Sequence, residues 1–258
     1  MRIEAETLAC RRSGRLVFED LSFTLGSGEA LLVTGRNGAG KSSLLGILAG
    51  RLRPVAGAVR LVGAGERTLP ECLHAVGHRD ALKGALTAEE NLRFARDLLG
   101  DPALTPRAAL AAVGLEHAAD LPVAYLSAGQ RRRVALARLL VAHRPVWLLD
   151  EPTAALDAAA QAMLLGLMRA HLAGGGLLVA ATHQPLGLEG ARELRIRVRA
   201  ALLEPSPQAG CASSSRGRVS AASADDGRGG SASGYAPSPG SLRSPPSPAG
   251  GGRVEASE

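Results

Sequence analysis

Residues 35–42 read Gly35-Arg36-Asn37-Gly38-Ala39-Gly40-Lys41-Ser42, and they lie between an apolar stretch at 30–33 and a helix-forming segment at 43–49. A strand, a glycine-rich loop and a helix in this order form a P-loop. Glycines let the loop curl so that backbone N–H groups point inward, and the helix N-terminus adds positive potential. The pattern predicts a nucleotide-phosphate site that extends to Ser43, in which Lys41 reaches the β- and γ-phosphates and Ser42 ligates Mg²⁺. A glycine-rich turn before a buried helix is the alternative, and the order of the elements argues against it.

The composition indicates one globular α/β domain with a tail. Of the 258 residues, 46% are hydrophobic but only 2% are aromatic, so leucine, valine and alanine must build the core. No stretch reaches about 20 apolar residues and the N-terminus has no apolar segment, so neither a membrane span nor a signal peptide is expected. Cys10, Cys72 and Cys211 show no metal-ligand or haem-attachment spacing, and Cys10 is expected to be a core thiol.

The net charge of +6 and the pI near 10.0 raise the question of nucleic-acid binding. The chain contains only two lysines, Lys41 and Lys83, so nearly all of its positive charge is arginine. Together with the abundant alanine and glycine, this pattern is typical of a GC-rich genome. We therefore expect no nucleic-acid partner.

The order of the predicted elements favours a parallel sheet that is covered by helices. Two antiparallel strands are predicted between residues 3 and 25, and another strand at 58–62. Helical spacing occurs at 89–99, 107–113, 128–142 and 157–172. Short, fully apolar strands, typical of a buried parallel sheet, are predicted at 146–149 and 177–181. Alternating strands and helices of this kind indicate an α/β fold.

The composition changes near residue 204. From there to Glu258 the chain is rich in serine, glycine, proline and alanine, and Tyr235 is its only aromatic residue. Five arginines balance five acidic residues in this segment, so the net charge belongs to residues 1–203. Such a composition cannot bury enough apolar surface to offset the loss of chain entropy. We predict a folded domain at 1–203 and a disordered tail at 204–258.

Two carboxylates end one apolar strand, and a histidine follows the next. Asp150 and Glu151 come after 146–149, and His183 comes after 177–181. Asp150 is predicted to hold Mg²⁺ through water, and Glu151 to polarise the water that attacks the phosphate. His183 is placed to contact the γ-phosphate and Glu151. A lone histidine here would more often be structural, but the accompanying motifs favour the functional role.

A second phosphate cradle is predicted at Ser127-Ala128-Gly129-Gln130, where the helix at 128–142 begins. It combines a serine hydroxyl, free backbone N–H groups and a helix N-terminus. One nucleotide does not need two such cradles in one subunit. It uses both when two subunits sandwich it.

The motifs and their order resemble the ATP-binding subunits of ABC transporters: the P-loop, Leu126-Ser127-Ala128-Gly129-Gln130, Leu148-Leu149-Asp150-Glu151-Pro152, Ala155-Leu156-Asp157 and His183. The resemblance covers about residues 3–200. It implies a P-loop NTPase fold of the ABC ATPase type, with a RecA-like core, an antiparallel β subdomain and a helical signature subdomain. It also implies a head-to-tail homodimer with two ATP molecules, each held by Lys41 of one subunit and Ser127 of the other, with Asp157 in the D-loop.

Finer features resemble the CcmA family, the ATP-binding subunits of haem exporters in cytochrome c biogenesis. They include Gly77-His78, at the position where most ABC ATPases carry the Q-loop glutamine, and the segments 124–133, 146–152 and 181–186. This resemblance implies an ATPase that uses Mg²⁺ and works with integral membrane permease subunits. It implies a peripheral position at the cytoplasmic face of the bacterial inner membrane, with membrane contact only through those partners.

Three positions depart from the usual ABC ATPase pattern. Arg12 stands where an adenine-stacking aromatic is usual, so either its guanidinium stacks on the base or base recognition is weak. Ala128 replaces a glycine, and its methyl group is tolerated only if the backbone there is ordinary. His78 either senses metal and water less tightly than glutamine or responds to pH, and the alternative is that it is a neutral polar substitute for glutamine.

The same resemblance predicts where the permease docks. Apolar side chains after His78 are expected to face the permease, namely Leu82, Leu86, Leu92 and Phe94.

An ABC ATPase that transports a lipid or a peptide is an alternative function, against which the Gly77-His78 context argues. A soluble ABC protein that acts on ribosomes or DNA is a further alternative, but its usual second ATPase domain or long coiled-coil insertion is absent from this sequence.

Overall fold

The computed structural model describes residues 1–196. The predicted tail at 204–258 and Cys211 lie outside the described residues, as does the predicted domain end at 203. The strands are β1 (Arg2–Arg12), β2 (Arg15–Gly26), β3 (Ala30–Thr34), β4 (Ala56–Val62), β5 (Leu73–Val76), β6 (Val146–Asp150), β7 (Leu177–Ala181) and β8 (Arg192–Arg195). The helices are α1 (Lys41–Leu48), α2 (Ala88–Leu99), α3 (Pro106–Ala112), α4 (Ala128–Val141) and α5 (Ala158–Ala173).

The N-terminal strands form a small antiparallel sheet with the order β2-β1-β4. A two-residue turn joins β1 to β2, and its residues Ser13 and Gly14 both have positive φ, 48° and 79°. Two such residues are typical of the hairpin turn whose twist matches that of the flanking strands. The predicted antiparallel pair is therefore confirmed. Cys10 is buried in β1 as expected, and burial raises the pKa of its thiol.

The larger sheet is parallel throughout the described residues, with the order β5-β6-β7-β3-β8. All residues of β6 and β7 are buried, because neighbouring strands flank them on both edges and helices cover the faces of the sheet. The predicted α/β fold is confirmed. Strands β5 and β8, which lie at the two edges of the sheet within residues 1–196, were not predicted from the sequence.

A helical layer of α2, α3 and α4 has a hydrophobic core of its own. The apolar stripe of α2 carries Ala88, Leu92 and Ala95 at helical spacing, and each of these is buried. The expectation that Leu92 faces a partner is therefore wrong, since its side chain is 0% exposed in this core. Phe94 lies off the stripe and is 49% exposed, while Leu82 and Leu86 are half-buried. Among residues 1–196, no helix combines the length and apolar character that crossing a membrane requires.

Candidate active site

The strand order brings three separate sequence motifs to one edge of the parallel sheet. β7 lies between β6 and β3, so the carboxyl ends of these three strands are adjacent. The P-loop follows β3, Asp150 ends β6, and His183 follows β7 by two residues. Ligands of α/β sheets bind outside the carboxyl ends of the strands. The topology therefore places all three motifs side by side at this edge of the sheet.

A cavity of about 450 Å³ lies at this edge of the sheet. Most of the residues that the sequence assigned to the phosphates and to the metal line this cavity, and Val17 lines it without having been predicted. The lining residues are Arg12, Val17, Asn37, Gly38, Gly40, Lys41, Ser42, Ser43, His78, Asp150 and Glu151. Gly35 and Arg36 line a neighbouring cleft together with His183. Ala39 is 1% exposed and packs in the core, so its side chain does not face the cavity.

The P-loop depends on glycine at position 40. Gly40 has φ 106°, in the left-handed region, and is the N-cap of α1 without any side-chain cap. A Cβ atom at Gly40 would lie 2.3 Å from Cγ1 of Val17. Strand β2 thus packs directly over the loop, and glycine is required both for its conformation and for its lack of a side chain.

Lys41 begins α1, and its side chain is only 7% exposed. Its Nζ atom donates a hydrogen bond of 2.9 Å to the carbonyl oxygen of Gly35, and it lies 3.9 Å from Oε1 of Glu151. A buried ammonium group needs such partners. Lys41 is therefore anchored with its charge at the cavity.

Glu151 is held at the end of β6 by both its backbone and its side chain. Its N–H donates a 2.8 Å hydrogen bond to the carbonyl of Ala181, and its Oε2 atom lies 2.8 Å from Nδ1 of His183. The predicted contact between His183 and Glu151 is present. Glu151 also has φ 46°, a left-handed conformation that costs a residue with a side chain roughly 1–2 kcal/mol. Surrounding contacts must therefore hold this residue in place.

The signature segment begins α4. Ser127 is its N-cap: its Oγ atom accepts a hydrogen bond from the N–H of Gln130, and the Gln130 side chain accepts one from the N–H of Ser127. Ala128 is the first helical residue and does not have positive φ, so the ordinary backbone that its methyl group requires is present. A Cβ atom at Gly129 would lie 3.1 Å from the carbonyl oxygen of Ala155. Glycine there permits this close approach of the D-loop.

A second, smaller cavity of about 90 Å³ lies at this helix start. Its lining combines signature and D-loop residues: Ser127, Gly129, Gln130, Arg133, Ala155, Leu156, Asp157 and Ala160. Asp157 is the N-cap of α5 and accepts a 2.8 Å hydrogen bond from the N–H of Ala160. The two cavities share no lining residue. The structure therefore does not bring Ser127 to the P-loop of its own chain.

Arg132 was not predicted from the sequence as a site residue, and its side chain is 3% exposed and reaches the ends of two motifs. Its guanidinium donates hydrogen bonds to the carbonyls of Gly77, Asp150 and Glu151. No local pattern singles out Arg132, because residues 134–137 are all buried and each of the three successive arginines at 131–133 therefore lies three and four positions before buried residues.

The comparisons with known proteins agree with this geometry. A family model described as ABC transporter matches residues 18–154. The cytochrome c biogenesis ATP-binding export protein CcmA of Bradyrhizobium diazoefficiens is 57% identical over 197 residues, which is 76% of this chain and 98% of that protein. Its counterpart in Nitrobacter winogradskyi is 58% identical over 197 residues, with the same shares covered. A solved structure of an ATP binding subunit of an ABC transporter is similar with a TM-score of 0.68 at 26% identity, covering 78% of this chain and 89% of that chain.

The fold and the site define an ATPase of the ABC transporter class. The chain belongs to the ABC transporter family and, within it, to the CcmA family. The predicted fold type and enzyme class are confirmed.

Proposed function

We propose that this protein is the ATP-hydrolysing subunit of a transporter that exports or delivers haem in cytochrome c biogenesis. The observation that carries the proposal is the convergence of Lys41, Asp150 and Glu151 on one cavity in a chain 57% identical to a cytochrome c biogenesis ATP-binding export protein. That identity favours cytochrome c biogenesis over the export of a lipid or a peptide.

ATP is the substrate of this cavity. Backbone N–H groups of the P-loop and the N-terminus of α1 bind the phosphates, and Lys41 neutralises part of their charge. The donor set fits Mg²⁺, because Ser42 and Asp150 both line the cavity and offer the oxygen ligands that this ion prefers. When bound, the ion neutralises charge on the phosphate oxygens.

Glu151 is the general base of hydrolysis. Its carboxylate lines the cavity and accepts the proton of the attacking water. His183 orients that carboxylate through their 2.8 Å contact, and it lines a cleft together with Gly35 and Arg36 of the P-loop, which supports its assignment to the γ-phosphate. Lys41, on the other side of Glu151, binds the phosphate that is released.

Two copies of the chain form the complete site, head to tail. Ser127, Ala128, Gly129 and Gln130 line or border a cavity that is separate from the P-loop cavity, which supports their action on the nucleotide of the second copy. The cap at Ser127 leaves its hydroxyl hydrogen available to a phosphate oxygen. Asp157 lies beside the signature in each copy and belongs to the same interface.

The chain works with separate permease subunits at the cytoplasmic face of the inner membrane. Export requires a membrane-spanning path, and none of the helices within 1–196 provides one. The apolar side chains after His78 that remain accessible, chiefly Phe94, form the surface that we assign to the permease.

The test is a strain that lacks this gene. We expect c-type cytochromes to lose covalent haem in haem-stained gels, and the wild-type chain to restore it while Lys41→Ala does not. The wild-type chain, purified from membranes, should bring a permease with it. Normal haem staining in the deletion strain would contradict the assignment to cytochrome c biogenesis and would leave the ATPase assignment intact.

A further inference from the structure

We infer that Arg132 is a positioning residue for ATP hydrolysis, which holds Glu151 in its left-handed backbone conformation. The inference rests on the proposed role of Glu151 as the general base. Arg132 lies in the second turn of α4, five residues after Ser127. It thus connects the helix that carries the signature to the end of β6.

The guanidinium of Arg132 binds the backbone on both sides of the Glu151 Cα atom. Its Nη2 atom donates to the carbonyl of Asp150 at 3.1 Å and to the carbonyl of Glu151 at 2.9 Å. The N–H of Glu151 is bound separately, by the carbonyl of Ala181. All three backbone groups around this Cα atom are therefore fixed, which compensates for its uncommon φ of 46°.

The second guanidinium nitrogen of Arg132 holds the loop before His78. Its Nη1 atom donates to the carbonyl of Gly77 at 2.6 Å and lies 3.2 Å from Oδ1 of Asp80. A buried charge is costly unless it is paired and hydrogen-bonded. Four acceptors on two segments satisfy that need here, although Nε has no partner among residues 1–196. The three backbone carbonyls and the carboxylate of Asp80 are therefore arranged to bind this guanidinium.

Only arginine fits these contacts. Its two terminal nitrogens lie in a fixed planar fork, and here one serves β6 while the other serves the loop at Gly77. A lysine retains the positive charge that balances Asp80, but its single nitrogen cannot reach both segments. Arg132→Lys therefore tests the fork without removing the charge.

The control is Arg144, a half-buried arginine that resembles Arg132 in its bonding but lies away from the nucleotide cavity. Its guanidinium also donates to backbone carbonyls, those of Leu99 and His143, and its Nε is likewise buried and unpartnered in the described chain. Arg144→Lys therefore measures how the loss of a guanidinium bound to two backbone carbonyls affects folding, without a change at the nucleotide cavity.

The experiment measures ATP hydrolysis by the purified full chain. We expect Arg132→Lys to lower kcat about tenfold or more, because a general base contributes about 10²–10⁴-fold and is here misplaced rather than removed. KM should change less than about twofold, since the P-loop contacts are untouched. Arg144→Lys should keep wild-type kcat and KM.

A double-mutant comparison separates positioning of Glu151 from any other role. In a Glu151→Gln background, Arg132→Lys should slow the residual hydrolysis no further, because both changes disable the same group. A wild-type kcat in Arg132→Lys, an additive loss in the double variant, or a loss of ATP binding along with turnover would each overturn the inference. Normal turnover in Glu151→Gln alone would instead contradict the proposed base, whatever Arg132 does.

Discussion

The Nδ1 atom of His183 lies 2.8 Å from the Oε2 atom of Glu151, although 32 positions separate the two residues in the sequence. They meet because β7 pairs with β6 in parallel, so the segments that follow the two strands are neighbours. The other carboxylate oxygen of Glu151 lies 3.9 Å from Nζ of Lys41. The carboxylate therefore takes its orientation from contacts on both sides, one beyond β7 and one in the P-loop.

Glu151→Gln should bind MgATP but hydrolyse it about 10²–10⁴-fold more slowly, because an amide cannot accept the proton of water. Glutamine has nearly the same shape as glutamate, so the binding of nucleotide should persist. The ATP-bound dimer should then accumulate and be visible by size-exclusion chromatography with MgATP. A monomer with normal turnover would show that Glu151 is not the base.

Lys41→Ala should weaken ATP binding at least about tenfold, because charge-assisted hydrogen bonds to the phosphates contribute about 1.5–3 kcal/mol. Isothermal titration calorimetry measures this directly. The matched control is Lys83→Ala, since Lys83 is the only other lysine and its Nζ lies 4.6 Å from the centroid of the Phe94 ring, in the helical layer. Equal affinities of the Lys41 variant and the wild type would exclude the P-loop assignment.

Strands β3, β6 and β7 could be predicted because their burial produces uninterrupted apolar runs, and β1 and β2 because apolar and polar residues alternate along them. The two missed strands lack these signals. β5 has only four residues and carries a histidine, whose hydrogen bond to the carbonyl of Ala142 makes it acceptable in the core. β8 is an edge strand in which three of four residues are charged, Arg192, Glu193 and Arg195. Strand β8 belongs to the sheet because it pairs with β3, and no local sequence pattern indicates that pairing.

The site was predictable wherever one short segment supplies the chemistry, as the P-loop, Asp150 and Glu151 do. Arg132 could not be assigned a role in this way, because its partners lie 18, 19 and 55 residues away and are backbone carbonyls. A carbonyl acceptor exists at every residue, so the sequence does not mark which ones are bound. The sequence also gives no sign of the left-handed backbone of Glu151, because the residue in that conformation is not a glycine.

ATP and GTP should bind with affinities within about threefold of each other, because Arg12 offers a guanidinium face that can stack on either purine. No phenylalanine, tyrosine or tryptophan, and no side-chain amide beyond Asn37 of the P-loop, belongs to the described lining of the cavity. Arg12→Ala should weaken the binding of both nucleotides alike, by about fivefold, as a lost cation–π contact would. Arg11→Ala is the control, since Arg11 does not line the cavity. A strong preference for ATP that survives Arg12→Ala would place base recognition elsewhere.

Phe94→Glu should spare folding and ATP hydrolysis by the isolated chain but abolish cytochrome c maturation. The ring is 49% exposed in the helical layer, so the change should alter the free energy of unfolding by no more than about 0.5 kcal/mol, while it places a charge on the surface assigned to the permease. Leu86→Glu is less informative, because Leu86 is half-buried and a charge there would also destabilise the fold. The control is Val55→Glu, at a side chain that is 62% exposed beside the antiparallel sheet. Haem staining, ATPase assays and thermal melts compare the two variants. Normal maturation with Phe94→Glu would exclude this docking surface.

Acid should destabilise the protein through His74, which is 5% exposed in β5 and whose Nε2 atom lies 2.9 Å from the carbonyl oxygen of Ala142. Burial is the main cause that lowers the pKa of His74 from 6.5 to about 4, and the positive charges of Arg144 and Arg138 act in the same direction. Between these two pKa values the unfolded chain binds a proton that the folded chain does not, so stability falls as the pH falls from about 6.5 to about 4. At pH 5 the free energy of unfolding should be about 2 kcal/mol lower than at pH 7.5 because of this group.

The test variant is His74→Gln, which keeps a donor for the carbonyl of Ala142 but does not titrate. Urea unfolding at the two pH values should show that it removes about 2 kcal/mol of the acid-induced loss of stability. An unchanged acid sensitivity in this variant would show that other groups, such as the half-buried His171, set the response.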